Sequence, residues 1–283
     1  MRSLSFPHGG AVPALGLGTW RLGETPARRA AEVAVLREAI DIGYRLFDTA
    51  EMYADGGAEE VVGAALNEAL AAGLAREGIT VVSKFYPHHA DRRHLPAACD
   101  RSRRRLGLDC IDLYLLHWRG NTPLEETVDT LQELQQRGHI GRWGVSNLDL
   151  DDMQELVALP GGDACAANQV YLSLGARGVE FELLPWQQQR GMPLMAYSPI
   201  DQGDLCRGAE LRRLADELAM PPATLALAWV LSRPGVMAIP KAARRAHLEQ
   251  NWAAASATLD SATLAALDAL FPPPRRRQPL AMR

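Results

Sequence analysis

Asp48, Tyr53, Lys84 and His117 are the side chains of this sequence whose types and spacing support acid–base chemistry. Three of them close short apolar runs: Leu46-Phe47 leads to Asp48, Val81-Val82-Ser83 to Lys84, and Leu115-Leu116 to His117; Tyr53 follows Asp48 by five residues. A free tyrosine, with a pKa near 10, is a poor acid–base group at neutral pH. A neighbouring ammonium stabilises the phenolate and lowers that pKa, and a carboxylate can hold the ammonium in place. Asp48, Tyr53 and Lys84 supply that trio, and His117 can add a hydrogen bond to an oxygen that gains negative charge. The chemistry this set supports is proton donation to a carbonyl oxygen. Each residue alone also has a plain reading: Asp48 as the N-cap of a following helix, Lys84 as a solvated rim lysine, His117 as a packed histidine. Acyl transfer is poorly supported, because no serine sits in a nucleophile-elbow context. A metal site is poorly supported too, since one histidine alone closes such a run and no Cys/His cluster has zinc spacing.

Bringing these residues together requires a scaffold, and the sequence announces one by alternation. Short apolar runs are each followed by a longer amphipathic run: Ala14–Leu17 by Arg29–Ile42, Arg45–Phe47 by Ala58–Leu70, Ile79–Ser83 by His94–Leu106, and Ile111–Leu116 by Leu124–Arg137. Further on, Arg142–Ser146 precedes Leu150–Val157, Ala166–Val170 precedes Val179–Gln189, Pro193–Ala196 precedes Ala209–Leu218 and Ala223–Leu231, and Val236–Ile239 precedes Ala246–Ala254. Strand–helix alternation implies a parallel sheet, and eight such units close a barrel. The expected fold is α/β, a (β/α)8 TIM barrel formed by residues 1–283 as one domain, with an N-terminal β-hairpin over Leu4–Pro13 that turns at Gly9-Gly10 and a short C-terminal tail. A doubly wound sheet is the alternative, but Gly16-Leu17-Gly18 is followed by Thr19-Trp20-Arg21 with no third glycine. Thr122-Pro123-Leu124-Glu125 reads as a capping box and Gly138 as the stop of the same helix. In a barrel the strand C-termini converge on one face, so Trp20, Asp48, Lys84, His117, Ser146 with Asn147, Gln169, Tyr197 and Lys241 should share a rim.

Composition narrows the function classes. Thirty Lys+Arg against thirty-four Asp+Glu give a formal charge of −4, which argues against a general nucleic-acid or membrane-surface binder, so an anionic ligand must find a local basic patch. The runs Arg101 with Arg103–Arg105, and Arg275–Arg277, read as solvated faces. Cys99, Cys110, Cys165 and Cys206 are scattered and read as reduced, buried thiols of a cytoplasmic protein. The N-terminal residues carry no signal-peptide pattern, and no stretch has the length of apolar sequence a membrane span needs.

The residues that carry the chemistry also carry a resemblance. Gly43-Tyr44-Arg45-Leu46-Phe47-Asp48-Thr49-Ala50-Glu51-Met52-Tyr53 resembles the signature of the aldo-keto reductase family around its catalytic Asp and Tyr. Val82-Ser83-Lys84, Leu115-Leu116-His117-Trp118, Gly141–Asn147, Ala167-Asn168-Gln169, Ala196-Tyr197-Ser198-Pro199 and Ile239-Pro240-Lys241-Ala242 resemble further family segments, in order, from about Gly16 to Asn251. The resemblance implies carbonyl reduction with NADPH, in which Tyr53 is the general acid, Lys84 depresses its pKa, Asp48 supports Lys84 and His117 orients the carbonyl. It implies Gly18, Thr19, Asp48, Ser146, Asn147, Gln169, Tyr197, Ser198, Lys241, Arg244 and Asn251 as cofactor contacts, with Tyr197 stacked on the nicotinamide. It also implies Trp20, Tyr53, His117 and Trp118 around a small-molecule carbonyl substrate.

Two departures stand out. Arg119-Gly120 follows His117-Trp118 where the family usually has proline, so Arg119 either lies at the substrate mouth and favours anionic or dicarbonyl substrates, or points to solvent. Ala242 and His247 stand where the family often has a serine and the arginine that grips the 2′-phosphate of NADPH. Arg244 or Arg245 could replace that contact, and NADH is the alternative cofactor. The alanine variant and the ending Phe271-Pro272-Pro273-Pro274-Arg275 resemble a bacterial branch that includes methylglyoxal and 2,5-diketo-D-gluconate reductases, which implies an open site without a long closing tail. A nicotinamide-binding regulatory module with little turnover is the second reading, and a barrel hydrolase or isomerase the third. Nothing in the sequence demands an obligate interface, so a monomer is expected.

Overall fold

The computed structural model of the chain describes residues 2–283. Strands β1 (Ser3–Ser5) and β2 (Ala11–Pro13) pair antiparallel as a hairpin, turning through Gly9 and Gly10 at positive φ. Eight further strands run parallel in sequence order: β3 (Leu17–Gly18), β4 (Leu46–Asp48), β5 (Thr80–Phe85), β6 (Ile111–Leu116), β7 (Ile140–Ser146), β8 (Asn168–Tyr171), β9 (Leu194–Tyr197) and β10 (Val236–Ala238). Parallel bridges Leu15–Ala238 and Gly18–Lys241 join the first of these to the last, so the sheet closes into a barrel. Gly18 is required at this seam: a β-carbon there would lie 2.7 Å from the Ile239 carbonyl oxygen.

Strand residues alternate in and out with period two, and here that parity places the chemistry. Leu46, Val82, Leu113, Leu115, Ala167, Met195, Met237 and Ile239 fill the barrel interior, stoppered from below by Phe6 and Val12 of the hairpin. Asp48, Lys84, His117, Gln169, Tyr197 and Lys241 each lie two residues beyond one of these plugs, so each emerges just above the apolar core. The outward set, including Phe47, Val81, Tyr114, Trp143 and Val145, packs beneath the surrounding helices.

Helices α1 (Arg29–Ile42), α2 (Gly57–Ala71), α3 (Leu95–Leu106), α4 (Leu124–Gln136), α5 (Leu150–Ala158) and α6 (Leu183–Gln189) follow successive strands. Then α7 (Ala209–Glu217) and α8 (Pro222–Ser232) lie between β9 and β10, and α9 (Arg245–Ala254) follows β10. The bounds agree with the sequence reading to within a few residues, except that α6 is shorter at its start. A tenth helix, α10 (Ser261–Leu270), was not foreseen; Asp260 caps it by accepting from the Thr263 N–H, and it buries Leu267. The expected capping box of α4 does not form. Its N-cap is Pro123, no side chain caps it, and the Thr122 reading is corrected. Gly138 does end that helix, at φ +73. Among the described residues no single helix is long and apolar enough to cross a membrane.

Candidate active site

A cleft of about 630 Å3 opens at the C-terminal end of the barrel, within the ordinary range for small-molecule sites. Lys84 lies fully buried behind two residues of its lining, Asp48 and Tyr53. The ammonium uses all three donors: Nζ gives one hydrogen bond to Asp48 Oδ2 at 2.8 Å, one to the Thr49 carbonyl at 2.8 Å and one to Tyr53 Oη at 3.1 Å. Burial pulls its pKa down, but Asp48 and Tyr53 outweigh burial and hold the ammonium above its ordinary value. The Asp48 carboxyl is pushed up by burial, against the pull of Lys84 and of Gln169, whose Nε2 donates to Oδ1 at 2.7 Å. With two N–H donors aimed at its carboxylate, one on each oxygen, Asp48 is the anionic partner of the pair.

Tyr53 follows in a short loop after β4, with its ring 4.7 Å from the Lys84 ammonium. Because Tyr53 Oη accepts from Lys84, its own O–H is free to donate into the cleft. Lys84 pulls this pKa down, as expected, but it does not set the net shift. Burial pushes the phenol up, the Lys84 pull is real but smaller, and Asp48 opposes it, so the phenol ends above its ordinary value and keeps its proton. His117 packs edge-on at 5.8 Å from the Tyr53 ring. Burial, with Lys84 adding to it, pushes His117 down to about 2, so its imidazole is neutral and donates through a single N–H.

On the next wall, Ser146 Oγ donates to the Gln169 main-chain carbonyl at 2.8 Å, and Asn147 Nδ2 donates to the His117 main-chain carbonyl at 3.1 Å. Asn147 sits at φ +57, a left-handed conformation that Asn tolerates better than most residues. The Tyr197 hydroxyl donates to Asn147 Oδ1 at 2.9 Å, and its ring stacks on Tyr171 at 5.7 Å. Ser198 lines the cleft as well, at φ +47. Lys241, just past β10, and His247, Gln250 and Asn251 of α9 also line the cleft. Asn251 is buried, and its Nδ2 has no hydrogen-bond partner.

A match to the aldo/keto reductase family spans residues 14–271. The chain belongs to the aldo/keto reductase family. It is 50% identical over 286 residues to methylglyoxal reductase YeaE of Escherichia coli (strain K12), covering 99% of each chain. It is 28% identical to methylglyoxal reductase DkgB of Escherichia coli O157:H7, over 92% of this chain and 93% of that one. The crystal structure of an aldo/keto reductase from Klebsiella pneumoniae in complex with NADP and acetate superposes with a TM-score of 0.94 at 49% identity, covering 99% of both chains.

Within this aldo/keto reductase not every expected contact reaches the cleft. Trp20, at 37% exposure, stands at its rim, but Trp118 does not line it. Trp118 instead packs against His117 at 5.0 Å and Tyr86 at 6.0 Å. Thr19 is buried under the site with its hydroxyl on the Asp48 carbonyl. Arg244 is an exposed N-cap of α9 and Arg245 pairs with Glu249 on the same helix, so neither lines the cleft. Arg119 is committed to Asp152 at 2.6 Å and Glu155 at 2.7 Å on α5, which removes it as a free cation for substrate. Of the runs read as solvated faces, Arg105 pairs with buried Glu59 and Arg277 with Asp151. Cys99 and Cys165 are buried, whereas Cys110 is half-exposed and Cys206 lines the cleft.

Sequence reasoning also missed residues. Arg21, next to Trp20, reaches the cleft from a backbone at φ +65. Gln202 lies in a turn after β9 where Ser198, Asp201 and Gln202 all have positive φ without being glycine, which leaves no signal in residue type. Arg283 is the largest surprise: the tail returns to the mouth, where its N–H donates to the Tyr197 hydroxyl at 3.3 Å and its guanidinium bonds Asp204 and, at 3.3 Å, the Tyr171 hydroxyl. The short tail therefore contributes to the site that was expected to be open.

Proposed function

We propose that this chain reduces small aldehydes and α-oxoaldehydes, methylglyoxal among them, using NADPH. The observation that carries the reading is the disposition of Tyr53: a neutral phenol accepts from Lys84 and turns its own proton toward the cleft, beside the neutral imidazole of His117. The names of the relatives support the substrate class, and the NADP in the Klebsiella pneumoniae structure supports the cofactor. The residues fit such a group. Gln169 spends its amide N–H groups on Asp48 and Met195. That leaves its carbonyl oxygen, with Ser146 and Asn147, to hold the carboxamide. The unpartnered Asn251 amide in the cleft lining suits an adenine, and Lys241 with Arg21 supplies cationic charge for phosphates. When bound, NADPH supplies the hydride.

The protein's share of the reaction follows from the geometry. His117 orients the carbonyl oxygen by a hydrogen bond, and Tyr53 donates a hydrogen bond to the same oxygen. As negative charge develops there, the Tyr53 proton moves onto it, and the phenolate left behind is stabilised by the Lys84 ammonium, itself held by Asp48. The barrel plug and the buried floor keep bulk water from Lys84. One chain supplies every side chain in this scheme, so a monomer suffices, and the unpaired thiols suit a cytoplasmic setting.

The test is NADPH oxidation by the purified protein with methylglyoxal and a set of aromatic aldehydes, with NADH in parallel. Turnover with NADPH supports the reading. Tight NADPH binding without turnover on any carbonyl in the set would instead favour a nicotinamide-binding regulatory module.

A further inference from the structure

Glu51 is a buried carboxylate for which the reaction above has no use. Its side chain is 5% exposed, and it does not line the cleft. Burying a carboxylate is costly unless it is paired and hydrogen-bonded, and Glu51 is bound on every side. Oε1 accepts from the Tyr86 backbone N–H at 2.7 Å and from His89 Nδ1 at 2.8 Å, and Oε2 lies 3.6 Å from the Arg101 guanidinium. Tyr86 directly follows β5, His89 ends the turn after it, and Arg101 projects from α3. One carboxylate thus ties its own loop to two others, the turn that follows β5 and helix α3.

Its own position in the chain gives that clamp a consequence. Glu51 lies between Asp48 and Tyr53, two residues before the phenol. Its backbone N–H donates to the Lys84 carbonyl at 3.0 Å, continuing the β4–β5 ladder past Thr49, which donates to Val82 at 2.9 Å. Immediately after Tyr53, Ala54 and Asp55 both adopt φ +52, a conformation that non-glycine residues hold only where the surroundings enforce it. Tyr53 is therefore held between a clamped residue and a strained turn, at 3.1 Å from Lys84. The same clamp fixes the start of the Tyr86 segment, whose ring packs edge-on against Trp118 at 6.0 Å, and Trp118 in turn packs on His117.

We propose that Glu51 is a positioning residue for the proton transfer: its carboxylate, tied to Tyr86, His89 and Arg101, locks the Tyr53 loop against the segment that follows Lys84 and so sets the phenol–ammonium separation. The proposal rests on the reading of Tyr53 as proton donor. Glu51 touches neither substrate nor cofactor, so its removal acts on the chemical step rather than on binding. A small displacement of a reacting group is enough to cost about ten- to a hundredfold in rate.

The experiment compares wild type, E51A, E51Q and Y53F as NADPH-loaded enzymes, well below their melting temperatures. It records kcat with methylglyoxal, the NADPH dissociation constant by fluorescence quenching, and the solvent deuterium isotope effect on kcat. E51A is expected to lose about ten- to a hundredfold in kcat with its NADPH affinity within about twofold of wild type, and its solvent isotope effect should rise as proton transfer becomes limiting. E51Q, which keeps the acceptor for the Tyr86 N–H, should recover most of the loss. If E51A does not fold, E51S, which likewise removes the carboxylate, takes its place with the same expected loss and raised isotope effect. A folded E51A, or E51S in its place, with lower thermal stability but wild-type kcat and isotope effect makes Glu51 structural only and overturns the proposal. Y53F separates the two claims: if it keeps wild-type turnover, the donor assignment fails and the clamp loses its object, whatever the Glu51 variants do.

Discussion

Lys84 and Asp48 matter to stability as much as to chemistry. Both are buried, and removing one partner of such a pair leaves the other charge without compensation, at a cost of about 3–5 kcal/mol. Lys84→Met should show that loss in chemical denaturation, and adding Asp48→Asn to it should restore part of the stability, since the orphaned charge is then gone. His117 gives a second prediction at this scale. Its folded pKa of about 2 lies below the ordinary 6.5, so between those values the unfolded chain binds a proton that the folded chain refuses. This group's contribution is therefore intact above pH 6.5 and erodes as pH falls below it, by up to about 1.4 kcal/mol per pH unit. His117→Asn should unfold with a shallower pH dependence between pH 6 and pH 4, and an identical dependence would show that the imidazole is not held neutral. Asp48, Lys84 and His117 were legible because each is an ionisable residue at or just beyond the end of an apolar strand, and Tyr53 through its five-residue spacing from Asp48. The direction of the Tyr53 shift was not legible, since it turns on how much burial competes with Lys84, and burial is a property of the assembled site.

At the scale of elements, strand parity does the positioning. Gly144 shows how tightly: a β-carbon there would lie 2.5 Å from the Ala167 carbonyl oxygen and 2.9 Å from a Leu115 methyl. Gly144→Ala must push β7 away from β8, and overpacking of this kind costs about 1–3 kcal/mol. Because Ser146 and Asn147 follow on the same strand, the variant should also bind NADPH more weakly, which calorimetric titration can read alongside the melting temperature. Unchanged melting and binding would mean the strands separate freely there. The sequence revealed the strands and helices through their two periods, and the bounds of α1 and β6 were read without error. It failed where conformation is set by tertiary contact. The α4 cap is a proline although a threonine was at hand, the turn after β9 takes positive φ at non-glycine residues, and Arg119, whose type suggests an anion site, is neutralised by two acids that α5 brings to it.

Across the whole molecule charge is unevenly placed: the cations Lys241 and Arg21 line the cleft together with His247, on a chain whose net charge is −4. That distribution lets a mildly acidic protein hold a highly anionic cofactor without attracting anions generally. Lys241→Ala should therefore raise KM for NADPH by about tenfold or more, the worth of one charge-assisted phosphate contact, while leaving KM for NADH nearly unchanged. Equal effects on the two cofactors would place the 2′-phosphate elsewhere. The return of Arg283 to the mouth, where it joins Tyr197 to the loop of Asp204, belongs to this scale and was invisible in the sequence, because a tail of prolines and arginines has no periodicity from which to read its path.

The central claim is that Tyr53 gives the proton and contributes little to holding the cofactor. Its most direct test is Tyr53→Phe, measured for methylglyoxal reduction and for NADPH affinity on the same preparation. We expect kcat to fall by about two to four orders of magnitude, the usual worth of a positioned general acid, with NADPH affinity within a few-fold of wild type. Turnover near the wild-type rate would contradict the account, because the proton would then have to come from a group other than the one that Lys84 and Asp48 support.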